Sequence, residues 1–308
     1  MCDIWKGNNN LRQLGEQGIL DLLSSLKKFK TTRVVMTGGE PLLNPLFFRF
    51  CEILKSQKIK ISLLSTGLTI KKHAPNLVKW IDDIIVSLDG DESTHDRIRN
   101  IPGAFRKLMD GVATIMKLAP DFPIHGRTVI HQLNFRNWFE IIVSAKKMGL
   151  RSISFLPADV SSNAFNREDP WSVERQDEIL LPESALPELH KIISQLPERF
   201  HAEFISHFIA ESPQKLRNIY GYYAAFYRHN TFPFKKCNAP WVSTVIEPDG
   251  TVRPCFFHKA YGNIKNGNLD SILNSDDSIE FRKTLDIDTN EVCIKCVCYL
   301  NLKASAKV

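Results

Sequence analysis

The stretch Arg33-Val34-Val35-Met36-Thr37-Gly38-Gly39-Glu40-Pro41-Leu42 decides how this 308-residue chain is read. Val34 to Met36 is a short apolar run of the kind that forms a buried strand. Gly38-Gly39 stops it. Helical spacings stand on either side: Ile19, Leu22, Leu23 and Leu26 before it, and Phe47, Phe50, Cys51 and Leu54 after it. Cys51 lies on that second apolar stripe and reads as a small core residue.

The alternation continues outward. Residues 59–64 read as a strand and 69–79 as a helix; 84–88 read as a strand, followed by a long helical stretch over 92–118. A strand around Arg127 to His131 precedes a helix over 135–148, which Gly149 is placed to cap, and Ile153 to Leu156 make the next strand. Repeated βα units with short apolar strands imply a parallel sheet with helices outside it, closed as a barrel or part of one. Functional side chains are then expected just beyond the strand C-termini. Residues 157–172 are polar and loop-like. Residues 173–230 read as mostly helical, punctuated by prolines. Strand-like runs over 242–247 and 251–256 flank Pro248-Asp249-Gly250, a turn signal, and predict a hairpin followed by helical residues near 269–285.

Composition excludes several classes. Hydrophobic residues make up 43% and charged residues 24%, as in a soluble globular protein. No apolar run reaches the roughly 20 residues that cross a bilayer, and the first residues lack a signal-peptide pattern, so no membrane partner and a cytoplasmic location are expected. The net charge is +6, but the basic residues are scattered rather than gathered in a stripe, so no nucleic-acid partner is expected. The chain has seven cysteines, and five lie at or beyond Cys237. A disulfide framework does not suit a reducing compartment.

Those five form a module. Cys237 and Cys255 flank the hairpin with Gly250 at its turn, and Cys293-x2-Cys296-x-Cys298 closes the series. Four thiolates suit either structural Zn²⁺ or an iron–sulfur cluster, and spacing alone does not separate the two. His258, three residues after Cys255, is a possible Zn²⁺ ligand but more often such a residue supports a ligand or lies at the surface. At the strand ends, Gly38 and Gly39 let a ligand approach the backbone, and Glu40 can accept from an ammonium group. Ser65-Thr66-Gly67 follows the second strand. Ser87, Asp89 and Gly90, then His95, Asp96, Arg97 and Arg99, follow the third. Three strand ends with small polar sets suit a polar cofactor, and Asp89 is a candidate for ribose hydroxyls.

These residues resemble the radical S-adenosylmethionine (SAM) superfamily. Cys2-Asp3-Ile4-Trp5 is similar to the end of its C-x3-C-x2-C signature, Thr37-Gly38-Gly39-Glu40-Pro41 to its GGEP motif, and Ser87 to Arg99 to a segment of members that act on peptides. The Cys237-x12-Gly250-x4-Cys255 run resembles the opening of the SPASM and twitch auxiliary-cluster domains. The resemblance implies an α/β fold: a partial (β/α)6 TIM-like barrel over 1–157 with its first strand missing, a mostly helical segment over 158–234, and a small hairpin-plus-helix iron–sulfur domain over 235–308. It implies that Cys2 ligates a catalytic 4Fe–4S cluster whose other two ligands lie upstream of Met1, so the chain reads as N-terminally truncated. It implies that Gly38, Gly39 and Glu40 hold the methionine end of SAM, and that Ser65, Ser87 or Asp89 meet its carboxylate or ribose. If the face shared by Arg127 and His131 is inward, Arg127 meets that carboxylate; if outward, it is solvated. Cys237, Cys255, Cys293 and Cys296 are the implied ligands of one auxiliary 4Fe–4S cluster, with Cys298 a spare or substitute. The implied activity is reductive SAM cleavage to a 5′-deoxyadenosyl radical that abstracts hydrogen from a peptide or small-molecule substrate, with a reductant such as flavodoxin or ferredoxin. The competing readings are a non-catalytic iron–sulfur or zinc-binding protein on the same scaffold, an inactive fragment, or an RNA-modifying enzyme.

Overall fold

The computed structural model describes residues 13–302 except 165, 166 and 168. Helix α1 (Glu16–Lys28) buries Ile19 and Leu22 on one face and ends in Lys27 and Lys28, which suit the negative end of the helix dipole. Then come β1 (Arg33–Met36), α2 (Phe47–Ser56), β2 (Lys60–Ser65), α3 (Ile70–Trp80), β3 (Asp83–Ser87), α4 (Glu92–Arg99), α5 (Ala104–Leu118), β4 (Ile124–Ile130), α6 (Trp138–Lys147) and β5 (Ser152–Pro157). The five strands form one parallel sheet in the order β1-β2-β3-β4-β5, as successive βα units require.

The two faces of this sheet differ. Leu63 pairs in register with Ile84, and Ile84 with Ile124; all three are fully buried under the helices. Gly126 continues that face, where a Cβ would press on Leu150 and Ile153 at 3.1–3.3 Å. The opposite face carries Ser62 in register with Asp83 and, two residues further along, His125 in register with Ser152. Arg33 donates to Ser62 and Asp83, and His125 Nδ1 lies 2.7 Å from Ser152 Oγ. A doubly covered parallel sheet would be apolar on both sides. Here the second face is polar, as in a lumen that holds a polar ligand.

The expected helix over 92–118 is two helices. Asn100 adopts a left-handed conformation with φ 53° and closes α4, and Gly103, at φ 76°, opens α5 after Pro102. Proline disfavours helix in the residue before it, so one continuous rod is excluded. The face shared by Arg127 and His131 is also corrected: Arg127 lies in β4 on the polar side, whereas His131 is past the strand end and fully buried.

Helices α7 (Val173–Asp177), α8 (Leu186–Arg199), α9 (His201–Ile205) and α10 (Pro213–Phe226) follow. Tyr222 and Tyr223 fasten α10 to the sheet. Tyr223 donates to Ile130 O and accepts from Ala158 N–H at 3.0 Å, and Tyr222 donates to Ala158 O at 3.0 Å. A single parallel bridge, Ile153 with Ile209, extends the sheet beyond β5.

The C-terminal region contains α11 (Ala239–Val242), β6 (Val245–Ile246), β7 (Thr251–Arg253), β8 (Gly262–Asn263), α12 (Leu269–Leu273), α13 (Asp276–Thr284) and α14 (Glu291–Lys295). The expected hairpin is present, with Gly250 at φ 91°, but its strands are shorter than expected because α11 takes residue 242. β8 adds an unexpected third antiparallel strand. Contacts divide the described chain into two compact units. One is Thr32–Ala158 with Val173–Thr231; the other draws on the described residues of 13–31, 159–172 and 232–302.

Candidate functional site: strand-end loops and a thiol pocket

The loop after β1 leaves its glycines clear. Gly38 has φ 139°, a conformation L-residues rarely adopt, and a Cβ on Gly38 or Gly39 would meet nothing within 4 Å. Glu40 does not hang free. Its carboxylate accepts from Ser65 Oγ at 3.0 Å, Thr66 N–H at 2.8 Å and Thr66 Oγ1 at 2.5 Å. These donors come from the end of β2, so the loops after β1 and β2 are tied through one side chain. A fourth donor, Leu42 N–H, is longer at 3.4 Å and falls on Oε1, so that oxygen is the one a cationic ligand would share. Ser65 spends its hydroxyl on Glu40 and accepts from Gly67 N–H at 3.0 Å. Thr66, which the sequence placed only in the small polar set after the second strand, does as much to hold Glu40 as Ser65 does.

Ser87 ends β3 on the polar face, in register with Arg127. Asp89 is different. It is 1% exposed, and Arg99 Nε donates to its carboxylate at 2.6 Å. Its own N–H donates to His95 Nδ1 at 3.2 Å, and Asn134 Nδ2 donates to its carbonyl at 3.1 Å. Asp89 therefore locks α4 onto the end of β3 and is not displayed to a ribose. Burial holds the His95 pKa below the ordinary histidine value despite the nearby Asp89 carboxylate. Burial likewise pulls His131 down to about 4, so both rings are neutral near pH 7.

Arg127 Nε lies 3.4 Å from Ser154 Oγ on the same open face, and its charge reaches Glu211. Glu211 is 7% exposed and accepts from Phe155 N–H at 3.0 Å; burial raises its pKa above the usual carboxylate value. Nothing in the sequence pattern marked Glu211, because its burial depends on the bridge to β5. A cavity at the N-terminal edge of the sheet, lined by Arg33, Lys60, Ser62, Asp83, His125 and Arg151, was likewise not expected.

The second candidate site is the thiol pocket. Cys237, Cys255, Cys293 and Cys296 are partly buried, and Cys298 is exposed. Burial raises the Cys255 thiol, opposed by the N–H groups of Phe257 and His258, while Cys237 and Cys298 add to the rise. Burial, then the charges of Cys255 and Cys237, push Cys293 up to about 11. Burial also raises Cys296, opposed by the Cys298 N–H. Each of the other four sulfurs thus lies within electrostatic reach of Cys255. Backbone N–H donors aimed at Cys255 and Cys296 favour sulfur that carries negative charge, as a metal-bound thiolate does. Among the described residues, no group of three or more His, Cys, Asp or Glu closes to the spacing of a single-ion site. Cys51 belongs to neither site: it is fully buried, and burial pushes its thiol up to about 12. Cys2 lies outside the described residues.

The chain matches the Radical SAM superfamily over residues 1–142 and the SPASM iron–sulfur cluster-binding domain over residues 237–297. It thus carries a radical SAM domain and a SPASM-type domain. The matched SPASM stretch includes Cys237, Cys255, Cys293 and Cys296 and ends before Cys298. These two domains imply SAM and 4Fe–4S clusters, one of them auxiliary, as the cofactors. The subtilosin biosynthesis protein AlbA of Bacillus subtilis is 25% identical over 273 residues, 82% of this chain and 53% of AlbA. An AdoMet-dependent heme synthase of Methanosarcina barkeri is 26% identical over 53% of this chain and 50% of its own length. The chain spans about half the length of these curated relatives. Among solved structures, anSMEcpe with bound AdoMet matches with TM-score 0.60 and 16% identity over 92% of this chain and 80% of that chain. Streptococcus suis SuiB bound to the precursor peptide SuiA matches with TM-score 0.57 and 12% identity, over 91% and 64% respectively. At these identities the likeness shows the fold: a partial parallel α/β barrel followed by a SPASM region. No helix among the described residues is long and apolar enough to cross a membrane.

Proposed function

We propose that this protein is a cytoplasmic radical SAM enzyme. The bound 4Fe–4S cluster and SAM supply a 5′-deoxyadenosyl radical, formed by reductive cleavage, that takes a hydrogen atom from the substrate. The observation that carries this reading is the Glu40 anchor beside the unobstructed Gly38 and Gly39. Ser65 and Thr66 hold the Glu40 carboxylate in place for the SAM ammonium group, and the two glycines let the methionine end lie close to the backbone. Arg127 and Ser87, paired on the polar face, are the residues for the SAM carboxylate or ribose. Asp89 acts behind them by fixing α4 through Arg99. Cys2 is a ligand of the catalytic cluster.

Cys237, Cys255, Cys293 and Cys296 hold the auxiliary cluster, with Cys298 as the spare thiol. The substrate is a peptide or a small molecule. A peptide is favoured because the match to AlbA, named for bacteriocin biosynthesis, runs across most of the chain. A flavodoxin or ferredoxin serves as reductant. The test is anaerobic reconstitution, with iron and sulfide, of the full-length protein carrying a complete C-x3-C-x2-C set, followed by dithionite and SAM. Formation of 5′-deoxyadenosine that falls sharply in Glu40→Gln is expected. No 5′-deoxyadenosine from a preparation with its full iron content would leave the non-catalytic reading standing.

A further inference from the structure

Two side chains in the thiol pocket have no part in the roles given so far. His258 is 8% exposed, and its Nε2 lies 3.3 Å from Cys293 Sγ. The ring is held edge-to-face against Phe281 at 5.0 Å, and the His258 carbonyl accepts from Arg253 Nη1 at 3.1 Å. A metal-bound thiolate has no proton to give, so in that contact Nε2–H is the donor and sulfur the acceptor. Lys235 lies on the other side of the same segment. Its ammonium donates to the carbonyls of Ile294 and Cys293, and its charge reaches Cys296, Cys293 and Cys237. A partly buried ammonium fixed by two carbonyls is not a mobile surface lysine. It is a positive charge installed beside three of the four proposed cluster ligands.

We propose that His258 and Lys235 set the reduction potential of the auxiliary cluster, His258 through an N–H···S bond to Cys293 and Lys235 through its fixed charge. Reduction by one electron adds one negative charge to the cluster and its thiolates, and no bond is made or broken. A hydrogen bond to a ligand sulfur and a nearby cation both stabilise the more negative state, so both raise the potential. The pocket is thereby built for a cluster that accepts and passes an electron, beyond holding the fold together. This inference rests on the auxiliary cluster proposed above.

The experiment is an EPR-monitored redox titration of the reconstituted full chain in a Cys2→Ala background, so that the auxiliary cluster alone reports. Lys235→Met keeps the length of the side chain and removes its charge. It is expected to lower the midpoint potential by about 59 mV, a tenfold shift in a one-electron equilibrium. His258→Phe keeps the ring packing on Phe281 and removes the donor, and is expected to shift the equilibrium about threefold in the same direction. Lys235→Arg and His258→Gln, which retain the charge and a donor, are expected to stay near the parent value. The potential is read from the fraction of molecules that give the cluster signal, so partial loading does not hide the result. An unmoved midpoint in both Lys235→Met and His258→Phe overturns this inference and leaves the auxiliary cluster intact. A parent protein that takes up no cluster at Cys237, Cys255, Cys293 and Cys296 overturns the cluster reading and this inference with it.

Discussion

The strand-end loops and the thiol pocket solve the same problem, holding a cofactor, by opposite means. The loops stand on a parallel sheet whose ladders run from β1 to β5 over a buried apolar face. Their polar side chains are already partnered: Glu40 by Ser65 and Thr66, Asp89 by Arg99. The thiol pocket has strands of two or three residues and short helices around it. Burial and their mutual charge raise the Cys255 and Cys293 thiols, so the thiolate form there depends on what it binds. One site is pre-formed by its fold; the other is completed by what it binds.

The largest expected effect breaks the second arrangement. Cys255→Ala should remove most of the iron and sulfide of the auxiliary cluster and open residues 232–302 to limited proteolysis, while the sheet stays resistant; Cys298→Ala should do neither. Iron counting with mass mapping of the fragments checks both. Next comes the sheet itself. Leu63→Ala, at a fully buried position, should cost about 2–5 kcal/mol, whereas Val35→Ala, at a position 49% exposed, should stay within about 0.5 kcal/mol, both read by urea unfolding.

A finer cut tests pre-formation. Glu40→Gln keeps the hydrogen-bonding shape and loses the charge, and should weaken SAM binding by about 10- to 100-fold, or roughly 1.5–3 kcal/mol, by calorimetry. The far-ultraviolet spectrum and unfolding midpoint should barely change, since the sheet does not depend on the ligand. The smallest effect concerns Asp91, which caps α4 by accepting from Thr94 N–H at 2.9 Å. Asp91→Ala should cost about 1 kcal/mol at pH 7. Burial raises the Asp91 pKa, but hydrogen bonds from Thr94 and Ser93 and the charge of Arg97 outweigh it, and the net shift is downward. A depressed carboxylate stabilises above its unfolded pKa and loses that contribution as pH falls through the folded value. The difference between wild type and Asp91→Ala should therefore shrink as pH drops below about 4.

The sheet was legible in the sequence because its signals are local. Short apolar runs, helical stripes and glycine stops place each of β1 to β5 within a few residues. The helix break at Asn100 to Gly103 was also local, in Pro102-Gly103, yet the long run of helix formers on either side obscured it. The cysteine module was legible from spacing, and its ligand types from the resemblance. What sequence did not carry were pairings across distance. Asp89 looked like a ligand-binding carboxylate because Arg99, ten residues on, reads as a surface arginine until α4 folds back. Glu211 becomes buried only through a bridge to β5. His258 and Lys235 gain meaning only when α14 brings Cys293 to them. A two-residue strand such as β8 has no periodicity to detect.

One contact bears on how the protein is made. Lys28 at the end of α1 pairs with Asp270 of α12 at 2.6 Å across 242 residues, and the Asp270 N–H donates to Ser25 Oγ across 245. A ribosome emits those residues roughly 10–50 s apart at ordinary rates. During that interval β1 to β5 have all emerged and can pair, while Lys28 and Ser25 of α1 wait for their partner. The four proposed ligands Cys237, Cys255, Cys293 and Cys296 come out in the same closing stretch as the partner of α1. A chain stopped before residue 270 would hold all five strands of the sheet and lack the α12 partner of Lys28 and Ser25.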